Sequence, residues 1–127
     1  MRNRLGEIGE DIAAKFLMKR GFSFIAKNYR KKWGEIDVIV QRDGKIHFVE
    51  VKTVSCENID LISRETDNYR PEENVHPKKL QRLGRTIQSY LLEKCPEDQE
   101  WQFDVIAVFF EEGRRRAKVR LIEDVVL

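Results

Sequence analysis

Ile36-Asp37-Val38-Ile39-Val40 and Ile46-His47-Phe48-Val49-Glu50-Val51, joined through Arg42-Asp43-Gly44-Lys45, decide the fold. Both runs are rich in β-branched and aromatic residues, the composition of a strand. Asp-Gly between two such runs signals a tight hairpin, because a type I′ turn needs positive φ at both central positions. With Asp43 and Gly44 as the turn, Arg42 faces Lys45, and the register puts Asp37 opposite Glu50 with Lys52 on their face. The pairs Ile36–Val51, Val38–Val49 and Val40–His47 then make the second face largely apolar, while Ile39–Phe48 adds apolar contact beside Asp37. A hairpin covered on both faces belongs in the centre of an α/β sandwich. Carboxylates directly opposite in antiparallel strands have Cβ atoms about 4.5–5.5 Å apart, and like charges there are destabilising. A divalent cation would relieve that repulsion, and hard oxygen ligands suit Mg²⁺. Lys52 alone, salt-bridged to one carboxylate, is the competing arrangement.

Working outward, residues 5–20 read as an amphipathic helix, with Leu5, Ile8, Ile12, Ala13, Phe16 and Leu17 on one arc and Gly21 as its stop. Glu7 falls mid-way on the polar arc. Glu10 lies about 20° from Leu17, close enough to the apolar edge to reach the sheet rim. Phe22 to Tyr29 reads as a first strand. A second helix is expected from Pro77 to Lys94, with Leu80, Leu83, Ile87, Tyr90 and Leu91 as its stripe. Lys78, Arg82 and Arg85 share one flank of it, and Lys79 sits about 20° from Tyr90. Phe103–Phe110 and Lys118–Ile122 read as further strands around a Gly113 turn. Residues 54–74 lack periodicity and are expected to form a long loop. The order implies one α/β domain over residues 1–127 with a central mixed sheet flanked by helices.

The chain has 127 residues, of which 41% are apolar and 36% charged, with a net charge of +2. That is one domain's worth of chain, and the total charge predicts no polyanion partner. The distribution says more. Residues 1–33 sum to +6 and residues 75–94 to +4, around a middle that is acidic. Solvated helix faces account for this, and so does a phosphate-binding surface around an acidic site, since phosphate contacts depend on local charge. The apolar runs are too short to span a bilayer, and the amino terminus leads into an acidic helical pattern rather than a signal core. A cytoplasmic protein without a membrane partner is expected. Cys56 and Cys95 lack the spacing of a zinc site or a disulfide framework.

The strand–turn–strand with Asp37 followed by Glu50-Val51-Lys52 resembles the PD-(D/E)XK nuclease superfamily. More narrowly, six segments resemble the YraN-type family of predicted bacterial endonucleases, which is similar to archaeal Holliday-junction resolvases. They are Gly6-Glu7-Ile8-Gly9-Glu10, Asn28-Tyr29-Arg30, Gly34-Glu35-Ile36-Asp37-Val38-Ile39, Phe48-Val49-Glu50-Val51-Lys52-Thr53, Pro77-Lys78-Lys79 and Phe103-Asp104-Val105. The resemblance implies a restriction-endonuclease-like fold and metal-dependent hydrolysis of DNA phosphodiesters, with branched or junction DNA as one substrate. Glu10, Asp37 and Glu50 would be the metal-binding carboxylates for Mg²⁺, with Mn²⁺ able to substitute, and the Val51 carbonyl a further ligand. Lys52 would orient or deprotonate the attacking water. Lys79 would be an auxiliary contact, and the basic segments 1–33 and 75–94, the latter through Lys78, Arg82 and Arg85, would hold the nucleic-acid backbone. A homodimer follows by analogy. Val54 stands where the family often has Arg, and His76 replaces the usual hydroxyl N-cap before Pro77. Asp104 matches a recurring family position, without a role that chemistry assigns it. His47 and Trp33 read as structural, the latter as a turn anchor. A non-catalytic nucleic-acid-binding module and an RNA-directed nuclease are the alternatives.

Overall fold

A computed structural model describes residues 3–61 and 76–127. Helix α1 (Arg4–Lys19) leads into strands β1 (Ser23–Lys31), β2 (Gly34–Arg42) and β3 (Lys45–Cys56). A short 3-10 turn (Ile59–Leu61) precedes helix α2 (Pro77–Lys94), then strands β4 (Trp101–Glu111) and β5 (Arg116–Ile122). The sheet has the order β1-β2-β3-β4-β5. Only β3 and β4 run parallel, and α2 lies in the crossover between them. The architecture is the mixed α/β sandwich expected, consistent with a restriction-endonuclease-like fold.

Local chemistry explains the element ends. Asn3 caps α1, its Oδ1 accepting the Leu5 N–H at 2.8 Å. His76 does the same for α2 through Nδ1, which accepts the Lys78 N–H at 3.1 Å, so the missing hydroxyl is replaced by a ring nitrogen. Asp43 and Gly44 have φ of 52° and 77°, the two positive values that the tight hairpin turn requires. The expected loop over 54–74 is corrected at its start. Residues 54–56 continue β3, where Cys56 pairs with Glu111, and the turn at Ile59–Leu61 follows. The Ile59 N–H donates to buried Glu111 at 2.7 Å, which ties that turn to β4. The rest of the expected loop lies outside the described residues.

Two cores sandwich the sheet. On one face, Ala13 and Leu17 of α1 pack against Phe22, Val38, Val40, Val49, Ile106 and Val108. On the other, Leu83, Ile87 and Tyr90 of α2 pack against Ile39, Phe48, Phe103 and Val105. Central β3 therefore buries both faces, alternating Phe48 and Val49.

Asp104, whose role the sequence leaves open, acquires one here. It is fully buried. Its Oδ2 lies 2.7 Å from His47 Nδ1, and its Oδ1 accepts from Gln102 Nε2 at 2.7 Å and from the Asp124 N–H at 2.9 Å. One carboxylate thus joins β3, β4 and the carboxyl-terminal segment. His47 is structural, as expected, its ring also meeting Phe22 edge-on at 4.8 Å. Replacing Asp104 with Ala should strand these donors in the interior and cost about 3 kcal/mol. Urea denaturation should show a lower midpoint with an unchanged slope.

Candidate functional site

The hairpin pairs in the register set by its turn, from Arg42↔Lys45 through Val40↔His47 to Val38↔Val49. There the ladder stops. On the other side β1 pairs Lys27↔Val38 and Tyr29↔Ile36, passing over Asn28 and Asp37. Asn28 itself has φ of 57°, a left-handed conformation within a strand. Asp37 therefore sits where pairing lapses on both sides, and its own side chain replaces a missing bond: Oδ2 accepts the Val51 N–H at 2.8 Å. The break also corrects the expected pairs Asp37–Glu50 and Ile36–Val51, neither of which is a rung of the ladder. Ile36 packs with the α2-side core and Val51 with the α1-side core, because the pleat loses its alternation at the break.

Residues from both helix layers meet at this break. On the α1 side, a Cβ at Gly9 would lie 1.8 Å from Thr53 Oγ1, so only glycine lets the helix lie this close to β3. The next residue, Glu10, is 5% exposed and accepts from Asn28 Nδ2 at 3.0 Å. On the α2 side, Lys79 Nζ donates to Oε1 of buried Glu50 at 2.6 Å, and Lys52 Nζ stands 4.0 Å from the same oxygen. Asp37 and Glu50 line one cavity of 190 Å³ with Glu35, Lys79 and Arg82. They share a face, as the register requires.

Electrostatics marks Asp37 as the centre. Burial, then the charge on Glu50, then Glu10 and Glu35, push its carboxyl up to about 8, against the opposing Val51 N–H. Lys52 is shifted the other way: burial and then the neighbouring Lys79 ammonium lower it, outweighing Glu50 and Asp37. Burial also acts to lower Lys79, but Glu50, through charge and hydrogen bond, outweighs it and the net shift is upward.

The ligand atoms of Glu10, Asp37 and Glu50 do not close into a group within 4.8 Å. Among the described residues the trio that does is His47, Asp104 and Glu123, one imidazole with two carboxylates. Spacing alone is a poor guide between them. Both Asp104 oxygens already serve the hydrogen bonds that hold the sheet end together. Around Asp37, by contrast, burial and then the neighbouring carboxylates favour the protonated form, while Lys79 draws Glu50 and Asn28 engages Glu10. Three carboxylates offer the hard oxygen donors that suit Mg²⁺.

The expected residues divide into two groups. Glu10, Asp37, Glu50, Lys52 and Lys79 come together, with Val51 joining through its N–H. Lys78, Arg82 and Arg85 lie exposed along α2. The structure adds Asn28, Glu35 and Gly9. Gly9 and Asn28 lie inside motif segments of the sequence, but only the fold reveals the helix contact of one and the left-handed backbone of the other.

The profile of a family described as "Uncharacterised protein family UPF0102" matches residues 9–108, a span that contains every site residue above. A UPF0102 protein of Flavobacterium psychrophilum is 37% identical over 122 residues, covering 96% of this chain and 92% of the relative. One of Syntrophomonas wolfei is 34% identical over 116 residues, covering 91% and 93%. One of Campylobacter jejuni subsp. doylei is 36% identical over 103 residues, covering 81% of each. The chain belongs to the UPF0102 family, the YraN-type group it resembles in sequence.

The raised Asp37 carboxyl makes stability depend on pH. From about pH 4 to 8 the folded protein keeps a proton that the unfolded chain has released, so without divalent cations stability should fall as pH rises through that window. Asp37→Asn should flatten the dependence and be more stable than the parent at pH 8 by about 1 kcal/mol or more. Denaturant titrations at pH 5 and pH 8 in EDTA check this, and parallel curves for the two proteins would contradict it.

Proposed function

We propose that this UPF0102 protein is a divalent-cation-dependent endonuclease that hydrolyses DNA phosphodiester bonds, branched DNA among them. One observation carries the reading: three carboxylates from α1, β2 and β3 gather where the sheet is interrupted, and burial, with the charges of Glu50 and Glu10 added to it, pushes the Asp37 carboxyl up to about 8. Such a cluster is unfavourable by itself and is suited to a cation. Glu10, Asp37, Glu50 and the Val51 carbonyl would hold Mg²⁺ or Mn²⁺. A bound ion supplies activation of water and stabilisation of the charge that develops on the phosphate.

The chain's own residues do the rest. Lys52, with its ammonium pKa lowered by burial and by Lys79, is suited to orient the attacking water and take its proton. Water oxygen bonds to phosphorus, the bond to the leaving sugar oxygen breaks, and that oxygen takes a proton. Arg82 at the cavity mouth offers a bidentate donor to a phosphate oxygen. A 190 Å³ cavity is below the range of sites for drug-sized ligands and matches a phosphodiester better than a whole metabolite. No helix among the described residues is long and apolar enough to cross a membrane.

The Lys79–Glu50 ion pair favours one rival, a binding module whose lysines neutralise the acids without turnover. Incubating junction, flap, duplex and single-stranded DNA, and RNA counterparts, with and without Mg²⁺ or Mn²⁺ separates them. Cation-dependent cleavage of DNA is expected. Glu50→Gln and Asp37→Asn should each lower it by at least about 100-fold, as loss of a group acting in the transition state does. Cation-independent binding without cleavage of any substrate would establish the module instead, and preference for ribose would establish an RNA-directed nuclease.

A further inference from the structure

Beside the acidic cavity, β1 and β2 are joined through Lys32 and Trp33. The turn is pressed against α2. A Cβ at Gly34 would lie 2.5 Å from Thr86 Oγ1 and 3.1 Å from the Arg82 carbonyl oxygen. This close approach brings the Trp33 ring under Arg85, whose guanidinium carbon is 4.1 Å from the ring centroid. Trp33 Nε1 is buried and has no hydrogen-bond partner. A buried indole N–H normally finds an acceptor, so a position that forgoes one calls for another explanation.

The surroundings supply it. Two depressions flank Trp33. One, of 480 Å³, is lined by Arg30, Lys31, Lys32, Arg82 and Arg85, and the other, of 320 Å³, by Lys78, Gln81, Arg82 and Arg85. Lys31 is paired with Glu93 and Arg30 with Glu35, which leaves Lys32, Lys78, Arg82 and Arg85 as the cations most disposed to an outside anion. Gly34, Glu35 and Arg82 line both the first depression and the acidic cavity, so the two are continuous. A guanidinium stacked on an aromatic face is held in place while its N–H groups remain in the plane, where they can meet phosphate oxygens.

We propose that the β1–β2 turn and α2 form one lip for a nucleic-acid backbone at the mouth of the acidic cavity, with Trp33 as the positioning residue that holds Arg85 against a phosphate flanking the one in the cavity. This rests on the reading of the cavity as a phosphodiester site. It narrows the basic segment 1–33 to the turn, through Lys32 and Trp33, and joins that turn to the cations of α2. An anionic membrane is a poorer fit. Membrane-surface binding combines basic with exposed apolar residues, and among the described residues the large exposed apolar side chains, Met18, Phe24, Leu92, Val126 and Leu127, are all outside the lip.

Binding of the full chain to a fluorescent duplex of arbitrary sequence, measured by anisotropy in EDTA between about 50 and 200 mM KCl, tests the lip without cleavage. Lys32→Gln and Arg85→Gln should each weaken binding and flatten the log–log salt slope by roughly 0.9. Trp33→Leu should weaken binding nearly as much as Arg85→Gln, and the double variant should be no weaker than Arg85→Gln alone, since the ring acts through that arginine. Trp33→Phe, which keeps an aromatic face, should restore most of the affinity. If Trp33→Leu fails to fold, Lys32→Gln and the Trp33→Phe rescue decide. Parent affinity and slope in Lys32→Gln and Trp33→Leu would overturn the proposal, as would binding to phosphatidylserine vesicles without binding to DNA. Absence of cleavage with any cation, beside the expected salt slopes, would remove the nuclease reading and leave the lip. Cleavage beside unchanged slopes would do the reverse.

Discussion

The mutual repulsion of Asp37, Glu50 and Glu10 is the constraint around which the molecule is arranged. Carboxylates this close are tolerated because each is held by something else. Asp37 takes the Val51 N–H, Glu50 takes Lys79, and Glu10 takes Asn28. The ladder break at Asp37 is the backbone counterpart of this arrangement. Where β2 leaves the β3 ladder and its pairing with β1 skips one position, side chains from opposite layers come within electrostatic reach of one point. An uninterrupted sheet would keep Glu10 on the α1 face and Glu50 on the α2 face.

Two close approaches hold the layers in place. Gly9 against Thr53 brings α1 to β3, and Gly34 against Thr86 brings α2 to the start of β2. Each is a position where an added methyl group would force the packing to shift, and each lies next to a residue of the proposed site, Glu10 in one case and Trp33 in the other. The two cores supply the bulk of the burial, but these contacts set its geometry at the site. At the opposite end of the sheet Asp104 fastens β3, β4 and the chain terminus. The acidic residues thus divide by chemistry: Asp104 and Glu111 each accept from several donors, whereas Asp37 takes the Val51 N–H and is still pushed up to about 8 by burial and its acidic neighbours.

Much of this was legible in the sequence because a tight turn propagates register. Asp43-Gly44 placed Val38 opposite Val49, and from there Asp37 and Glu50 on one face, without knowledge of either helix. Amphipathic periodicity then placed α1 and α2, including the full extent Pro77–Lys94. Periodicity could not see the lapse at Asp37, since pairing rules assume regular pleat, and so Ile36–Val51 was misplaced. Nor could it see Asn28. A left-handed residue inside a strand leaves no hydrophobic signature, and its donor to Glu10 depends on two segments meeting in space. The start of the expected loop failed for a related reason. Val54, Ser55 and Cys56 are only partly apolar, but they continue β3 because β4 offers a parallel partner as far as Glu111.

The exchange of a proton for a cation at Asp37 is the most direct consequence of the proposed cation site. Titration calorimetry of Mn²⁺ into the protein at pH 7, in buffers of different ionisation enthalpy, counts the protons released per ion bound. Below about pH 8 the Asp37 carboxyl holds a proton that a cation must displace. Release approaching one proton per ion is expected for the parent and none for Asp37→Asn. Binding with no buffer dependence in the parent, or no binding up to millimolar Mn²⁺, would contradict a cation site built on these carboxylates.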